Sequence, residues 1–142
     1  MNNGVLGKYE SVDGIHTVIL EDDGRVAYGY LLELGVIVSD VWLYNRVPAP
    51  TVPEWKSPVA EMPFVNSYQY VANDSFTYVT SISEFSVDWG IYDENRIAAL
   101  IRIRGKIHAL LVKKEKPGYC LLSKKNGPLA KCLTKEIIHA FK

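Results

Sequence analysis

Residues 96–122, RIAALIRIRGKIHALLVKKEKPGYCLL, decide the fold. They contain the densest apolar run in the chain, and their Ile-x-Ile spacing alternates residues between two faces, as in a strand. Turn signals at Gly105 and Gly118 divide the run into two or three segments. The Arg, Ala and Leu of residues 96–104 favour a helix by propensity, but the alternation and the flanking turns favour a strand. We therefore expect the middle of an antiparallel sheet.

The residues on either side of this run predict further strands. Asp13-Gly14 and Asp23-Gly24 accept the positive φ of tight hairpin turns, and Leu34-Gly35 reverses the chain again. Apolar residues toward the end of the chain recur at helical spacing, and we expect Asn126 to cap this helix. The predicted fold class is α+β, with a mostly antiparallel sheet of six to eight strands and a C-terminal amphipathic helix. A length of 142 residues predicts a single domain, 1–142.

Residues 45–63, NRVPAPTVPEWKSPVAEMP, form a long proline-rich loop that we call the proline segment. Its five prolines exclude a central strand and a helix interior. Loops of this length inside a compact domain are functional or disordered, and Trp55 favours an ordered loop. Within residues 42–55, Trp, Tyr and Arg are the residue types that dominate binding hot spots. We expect an interaction surface here for another protein, made of Trp42, Tyr44, Arg46 and Trp55. The alternative is that both tryptophans are core or anchoring residues.

A pocket between the sheet and the proline segment is a second candidate site. Asp40 and Asp88 each interrupt an apolar strand beside a tryptophan, and with His108 they edge this predicted pocket. The competing interpretation is that each aspartate pairs with an arginine across the sheet. His108 is also expected to face Cys120 on a neighbouring strand, either as a Cys–His nucleophile pair or as a buried structural pair.

A basic patch is the third candidate. Residues 1–100 contain fourteen acidic and five basic side chains, whereas residues 101–142 contain two acidic and eleven basic ones. Arg102, Arg104 and Lys106 could begin a nucleic-acid-binding surface, which requires basic residues interleaved with aromatic ones. The net charge of zero and the scarcity of aromatics in this part of the chain argue against nucleic acid. The alternative is that the acidic and basic halves interleave on the surface of one domain.

Several function classes lack a signature. The chain has no glycine-rich phosphate loop, no GxSxG elbow and no metal-ligand spacing of histidines, so we expect no cofactor, no metal and no catalytic residue. Whether the protein is an enzyme stays open, and the lack of a catalytic signature argues against an enzyme. The sequence contains no run of about 18 apolar residues, so we expect no membrane span. No secretory signal is visible. Two cysteines fit reduced thiols, and we expect a cytoplasmic protein.

Three segments carry a resemblance: VSDVWLYNRVPAP with PEW, MPFVN, and KPGYCLLSKKNGPLAK. They resemble a family of small bacterial cytoplasmic proteins that is itself uncharacterised, so no residue role carries over. In size and composition the chain is also similar to the immunity proteins of bacterial toxin systems. The leading hypothesis is a non-enzymatic, immunity-like or adaptor protein that binds another macromolecule. A small-ligand-binding protein or enzyme is the first alternative, and nucleic-acid binding is the second.

Overall fold

The structure, a computed structural model, describes residues 5–56, 63–72, 76 and 79–142. These residues form two sheets and one short C-terminal helix. The first sheet is a meander of β1 (Val5–Glu10), β2 (His16–Asp22), β3 (Val26–Glu33) and β4 (Val36–Asn45). The second contains β5 (Phe85–Tyr92), β6 (Arg96–Ile103), β7 (Lys106–Val112), β8 (Tyr119–Cys120) and β9 (Lys131–Cys132), and helix α1 (Lys135–Ala140) follows it.

The predicted hairpins are confirmed. Gly14, Gly24 and Gly35 adopt φ values of 74°, 89° and 84°, which side-chain-bearing residues rarely adopt. The strands that these turns join pair antiparallel, and among the described strands only the short β8–β9 pair is parallel. Residues 96–103 form a strand and not a helix, as their alternation predicts. The mostly antiparallel α+β class therefore agrees with the structure.

The prediction of one sheet with six to eight strands is wrong, because the strands form two sheets of four and five. The proline segment follows β4, and its prolines lack the backbone donors that a ladder needs. The edge of β4 is instead closed by the chain that joins β7 to β8. Lys114 N donates to Val38 O at 3.0 Å, and Gly118 N donates to Asp40 O at 2.7 Å.

The two sheets pack face to face around one apolar core. Val18, Leu31 and Val41 of the first sheet belong to the same buried cluster as Ile101 and Leu111 of the second. Burial alternates strictly along β2, as expected for a strand with one buried face. We call this buried side of the first sheet its inner face and the opposite side its outer face.

The far side of the second sheet is covered by the C-terminal residues. A smaller cluster of buried residues from β6 and β7 packs against Leu133, Ile137 and Phe141. The helix is shorter than expected: Thr134 caps it, and its Oγ1 accepts from Ile137 N at 3.3 Å. Among the described residues, no helix is long and apolar enough to cross a membrane.

The prediction that Asn126 caps this helix is wrong. Asn126 Oδ1 accepts from Cys132 N at 2.9 Å, and Leu129 O accepts from Trp42 N at 3.0 Å. Both bonds hold residues 126–132 in a non-helical path, because Leu129 is buried in the main core and Lys131 pairs with β8. Tertiary pairing therefore overrides the helical spacing of the apolar residues.

Candidate functional site

The structure places Trp42 and Tyr44, two of the predicted interaction residues, inside the protein. Their exposed fractions are 0% and 1%. The Trp42 indole Nε1 donates to Asn45 Oδ1 at 2.8 Å, so its polar atom is satisfied internally. Of the four predicted residues, Trp55 is the aromatic one that reaches the surface, where it is half-buried. The interaction surface expected from residues 42–55 therefore reduces largely to Trp55.

Tyr44 and Arg46 both donate hydrogen bonds to a buried aspartate, Asp22. Asp22 is 2% exposed, and its Oδ2 accepts from Tyr44 OH and from Arg46 Nε, each at 2.6 Å. Its Oδ1 accepts from Gly24 N at 2.9 Å. The Arg46 guanidinium also donates to Val79 O. Because a buried charge must be paired and hydrogen-bonded, these contacts make Asp22 tolerable and tie β2 to the end of β4.

His108 and Cys120 lie side by side, with His108 Nε2 and Cys120 Sγ 3.7 Å apart. Both groups point at one acceptor: His108 Nε2 donates to Leu43 O at 2.8 Å, and Cys120 Sγ donates to it at 3.4 Å. Burial lowers the pKa of His108 to about 4 and raises the pKa of Cys120 to about 12. Both side chains are thus neutral near pH 7, and the pair has the character of a structural contact. A catalytic cysteine requires the opposite shift of its pKa.

The basic patch is largely neutralised by acids from the first hundred residues. Arg102 Nε lies 2.8 Å from Asp88 Oδ2, and an Arg104 guanidinium nitrogen lies 2.6 Å from Glu84 Oε1. Lys106 is exposed beside them. The expected arginine pair of Asp88 is confirmed, and Asp88 lies away from the proline segment. Pairing of this kind weakens the phosphate affinity that nucleic-acid binding requires.

A cavity of about 270 Å³ lies between the outer face of the first sheet and the proline segment. Gly29 contacts Ile101 of the second sheet, so its neighbours Tyr28 and Tyr30 point the other way, into this cavity. Trp55 comes from the proline segment and Asp40 from β4, opposite Tyr30. We call this site the aromatic cleft, and its lining residues are Tyr28, Tyr30, Asp40, Trp55, Phe64, Pro128 and Leu129.

Asp40 is the charged residue of the aromatic cleft, and its carboxylate is unpaired. Among the described residues, no side chain or backbone group forms a hydrogen bond or an ion pair with it, in contrast to the predicted arginine pair. Partial burial raises the pKa of Asp40 above its ordinary value of 3.8, while the charge of Lys116 opposes this shift without forming an ion pair. A half-buried carboxylate thus lies among aromatic rings with no hydrogen-bond or ion-pair partner in the part of the chain that the structure describes.

Polar contacts hold the chain at residues 54 and 63–65, on the two sides of the aromatic cleft. An Arg25 guanidinium nitrogen lies 2.8 Å and 3.0 Å from the two Glu54 carboxylate oxygens, and Arg25 also donates to Pro63 O. Glu54 Oε1 accepts from Val65 N at 2.6 Å. Tyr28 OH donates to Phe64 O at 2.8 Å. These bonds connect the chain around Trp55 and Phe64 to β3 and to the turn before it, and so restrict the positions of both rings.

Trp55 is supported from behind by a second aromatic ring. It lies in a 3-10 turn, Glu54–Lys56, and its ring centroid is 5.5 Å from that of Tyr70. Gly127 packs closely against Tyr70, because a Cβ at this position would lie 2.6 Å from Tyr70 Cδ1. The absence of a side chain at Gly127 therefore allows the chain 127–129 to approach and complete the wall of the cleft.

A second exposed feature lies at the hairpin ends of the first sheet. Leu34 N donates to Ile15 O at 3.0 Å, which joins the β1–β2 turn to the β3–β4 turn. Leu34 is 79% exposed and has a φ of 50°, a conformation that favours Gly or Asn. We call this the apolar hairpin end, and its exposed residues are Val12, Ile15, Leu34, Val36 and Ile37.

Sequence reasoning identified Asp40 and Trp55 but assigned them to different sites. The structure brings them together with Tyr28, Tyr30 and Phe64, and it leaves Asp88 and His108 elsewhere. The signal for Tyr28 and Tyr30 was present, because their period-two spacing places both rings on one face of β3. Phe64 and the chain around Pro128 join the site through tertiary contacts that no local pattern encodes.

The comparisons with known proteins gave no match: no family model, no curated protein and no solved structure matches this chain. Within the described ranges, no three His, Cys, Asp or Glu side chains cluster as a metal site requires. The functional argument therefore depends on the geometry of the aromatic cleft.

Proposed function

We propose that the protein is a non-enzymatic, cytoplasmic binding protein, and that the aromatic cleft receives one side chain of a macromolecular partner. The single observation behind this proposal is the cleft itself: four aromatic side chains and an unpaired carboxylate around a cavity of about 270 Å³. Aromatic residues on rigid backbone are the usual anchors of protein interfaces. The contacts of Arg25 and Tyr28 with the loop reduce the entropy that binding would otherwise cost.

The chemistry of the other side chains supports a binding role. The arrangement that most resembles a catalytic pair, His108 and Cys120, is buried and neutral. Among the described residues, no side chain forms a hydrogen bond or an ion pair with the Asp40 carboxylate that would mark a partner in acid–base catalysis. An adaptor or immunity-like protein needs only a complementary surface, and the cleft supplies one.

A small ligand in the same cleft is the second candidate. The observation that favours it is concavity: a mostly apolar pocket with one convergent polar group is the usual form of a ligand site. The volume is just below the range of about 300–1,000 Å³ typical of sites for drug-sized ligands, so such a ligand would be small.

Site-specific photo-cross-linking in the source cells distinguishes these candidates. The cross-linker is placed at the rim of the cleft, as Pro128→p-benzoylphenylalanine, because Pro128 is exposed and lines the cavity. We expect a discrete protein adduct that disappears when Trp55→Ala is added. Leu34→Asn in the same background is the matched control, since it changes the apolar hairpin end and suits the local backbone.

Three outcomes would contradict a macromolecular partner at the cleft. The first is an adduct that survives Trp55→Ala, and the second is an adduct that is lost with Leu34→Asn, which would move the contact to the apolar hairpin end. The third is the absence of any protein adduct from position 128, which would leave the small-ligand candidate.

A further inference from the structure

We infer that the aromatic cleft selects an organic cation, namely an alkylammonium group carried either by a lysine side chain of a protein or by a free small amine. This inference rests on the proposed function, because it assumes that the cleft is a binding site. It goes further by assigning the chemical class of the group that enters.

The first argument is the state of Asp40. A carboxylate that loses part of its hydration on folding is normally compensated by donors or by a cation, as Asp22 is. Asp40 has neither among the described residues, and the charge of Lys116 acts on it only at a distance. A ligand with positive charge would supply the missing compensation, whereas the carboxylate would repel an anion.

The second argument is the state of the aromatic rings. Aromatic faces carry negative electrostatic potential and attract cations within about 6 Å. Elsewhere the protein fills such positions with its own side chains: Lys131 Nζ lies 4.6 Å from the Tyr119 ring centroid, and Lys125 Nζ lies 5.0 Å from that of Tyr70. None of the four rings of the aromatic cleft has a cation of the described residues over it. They remain available to a cation from outside.

The third argument concerns hydrogen bonding. The Tyr28 hydroxyl, which would otherwise offer a donor in the cleft, is engaged with Phe64 O at 2.8 Å. The Tyr30 hydroxyl and the Trp55 indole N–H also belong to the lining, which therefore offers aromatic surface, one carboxylate and few further polar groups. An alkylammonium group matches this lining better than a neutral or anionic group of the same shape does, because both the carboxylate and the aromatic faces attract its charge.

Titration of the purified protein with choline tests the inference, followed by NMR at the indole resonance of Trp55. The control ligand is 3,3-dimethylbutan-1-ol, which has the shape of choline but no charge. We expect saturable binding of choline, with affinity for the neutral analogue weaker by about tenfold or more. Asp40→Asn keeps the shape of the site and should weaken choline binding by a similar factor. Asp88→Asn, a matched strand aspartate outside the cleft, should leave it unchanged.

Two peptide arms identify the source of the cation. One peptide carries lysine and the other carries trimethyllysine, each in a short neutral sequence. Tighter binding of either peptide than of choline assigns the cleft to a protein side chain. Tighter binding of choline assigns it to a free amine, and both results support a cation site.

Other results would overturn the inference while leaving the proposed function testable by itself. Equal affinity for choline and its neutral analogue would show a purely apolar cleft, and so would choline binding that is unaffected by Asp40→Asn. No response to any of the cations would also reject the cation site. In each case a Pro128 adduct that still depends on Trp55 would preserve the macromolecular role. Choline binding without any protein adduct would reject that role and preserve the cation site.

Discussion

Asp22 and Asp40 belong to the same sheet, but they differ in burial and in hydrogen bonding. Asp22, on β2, is 2% exposed and accepts three hydrogen bonds, two of them from Tyr44 and Arg46. Asp40, on β4, is half-buried on the outer face and accepts none at its carboxylate among the described residues. The first aspartate is compensated from within the fold. The second has the surroundings of a group that awaits an external partner, and this contrast is the basis of the proposed site.

Trp42 and Trp55 also differ in how far they are buried, and replacing Trp42 gives the largest expected effect on stability. Trp42 is fully buried, so Trp42→Ala should lower the free energy of unfolding by about 4 kcal/mol through lost burial and a cavity. Trp55→Ala should lower it by about 1 kcal/mol or less, because the half-buried ring mainly loses its contact with Tyr70. Urea denaturation of both variants measures this. Equal losses would show that Trp55 is a core residue and not part of a binding surface.

The next effect concerns the compensated aspartate. Asp22→Asn keeps the shape of the side chain but leaves the Arg46 guanidinium without its carboxylate, so we expect a loss of about 3 kcal/mol in unfolding free energy. Asp88→Asn is the surface control, where the pair with Arg102 is partly exposed and worth about 0.5 kcal/mol. If Asp22→Asn loses no more unfolding free energy than Asp88→Asn, the contacts of Asp22 with Tyr44 and Arg46 contribute no more than a surface ion pair.

Asp40 gives the smallest effect, with the opposite sign. Its pKa in the folded protein is raised, so ionisation of Asp40 destabilises the folded state, and the contribution to stability is lost as pH rises through that pKa. Asp40→Asn should therefore be more stable than wild type at neutral pH, by about 0.5 kcal/mol, because solvent screens much of the charge. The difference should vanish as the pH falls toward 3.8, the ordinary pKa of the carboxyl.

The groups that face Asp40 do not disturb this comparison. The Tyr30 pKa is raised to about 12 and the Tyr28 pKa is raised as well, both by burial, so neither ring titrates between pH 3.8 and neutrality. Glu84 and Glu115 have pKa values of about 2, held there by hydrogen bonds and ion pairs, and they titrate alike in both proteins. An unchanged difference across the range would mean that Asp40 is not desolvated.

The hairpins and the strand at residues 96–103 were predictable, because local alternation and turn residues encode them. The division into two sheets was not, since it depends on how the edge of β4 meets the chain between β7 and β8. The predicted start of the helix was wrong for the same reason. Leu129 is held by the core and by its hydrogen bond with Trp42, and these contacts override the helical spacing of the apolar residues. Asp40 was noticed as an interruption of an apolar strand, but its lack of an arginine partner among the described residues depends on tertiary contacts that the local sequence does not encode.

One thermodynamic cycle tests the central claim that the Asp40 carboxylate, which has no partner among the described residues, binds a cationic ligand. The free energy of unfolding is measured for wild type and Asp40→Asn, each with and without saturating choline. Ligand that binds only the folded state stabilises it, so saturating choline should stabilise Asp40→Asn by about 1.4 kcal/mol less than wild type, which corresponds to a tenfold weaker affinity. Without choline, the variant should be the more stable protein. If Asp40→Asn is less stable without choline, or if choline stabilises both proteins equally, the carboxylate is a structural residue and the claim is contradicted.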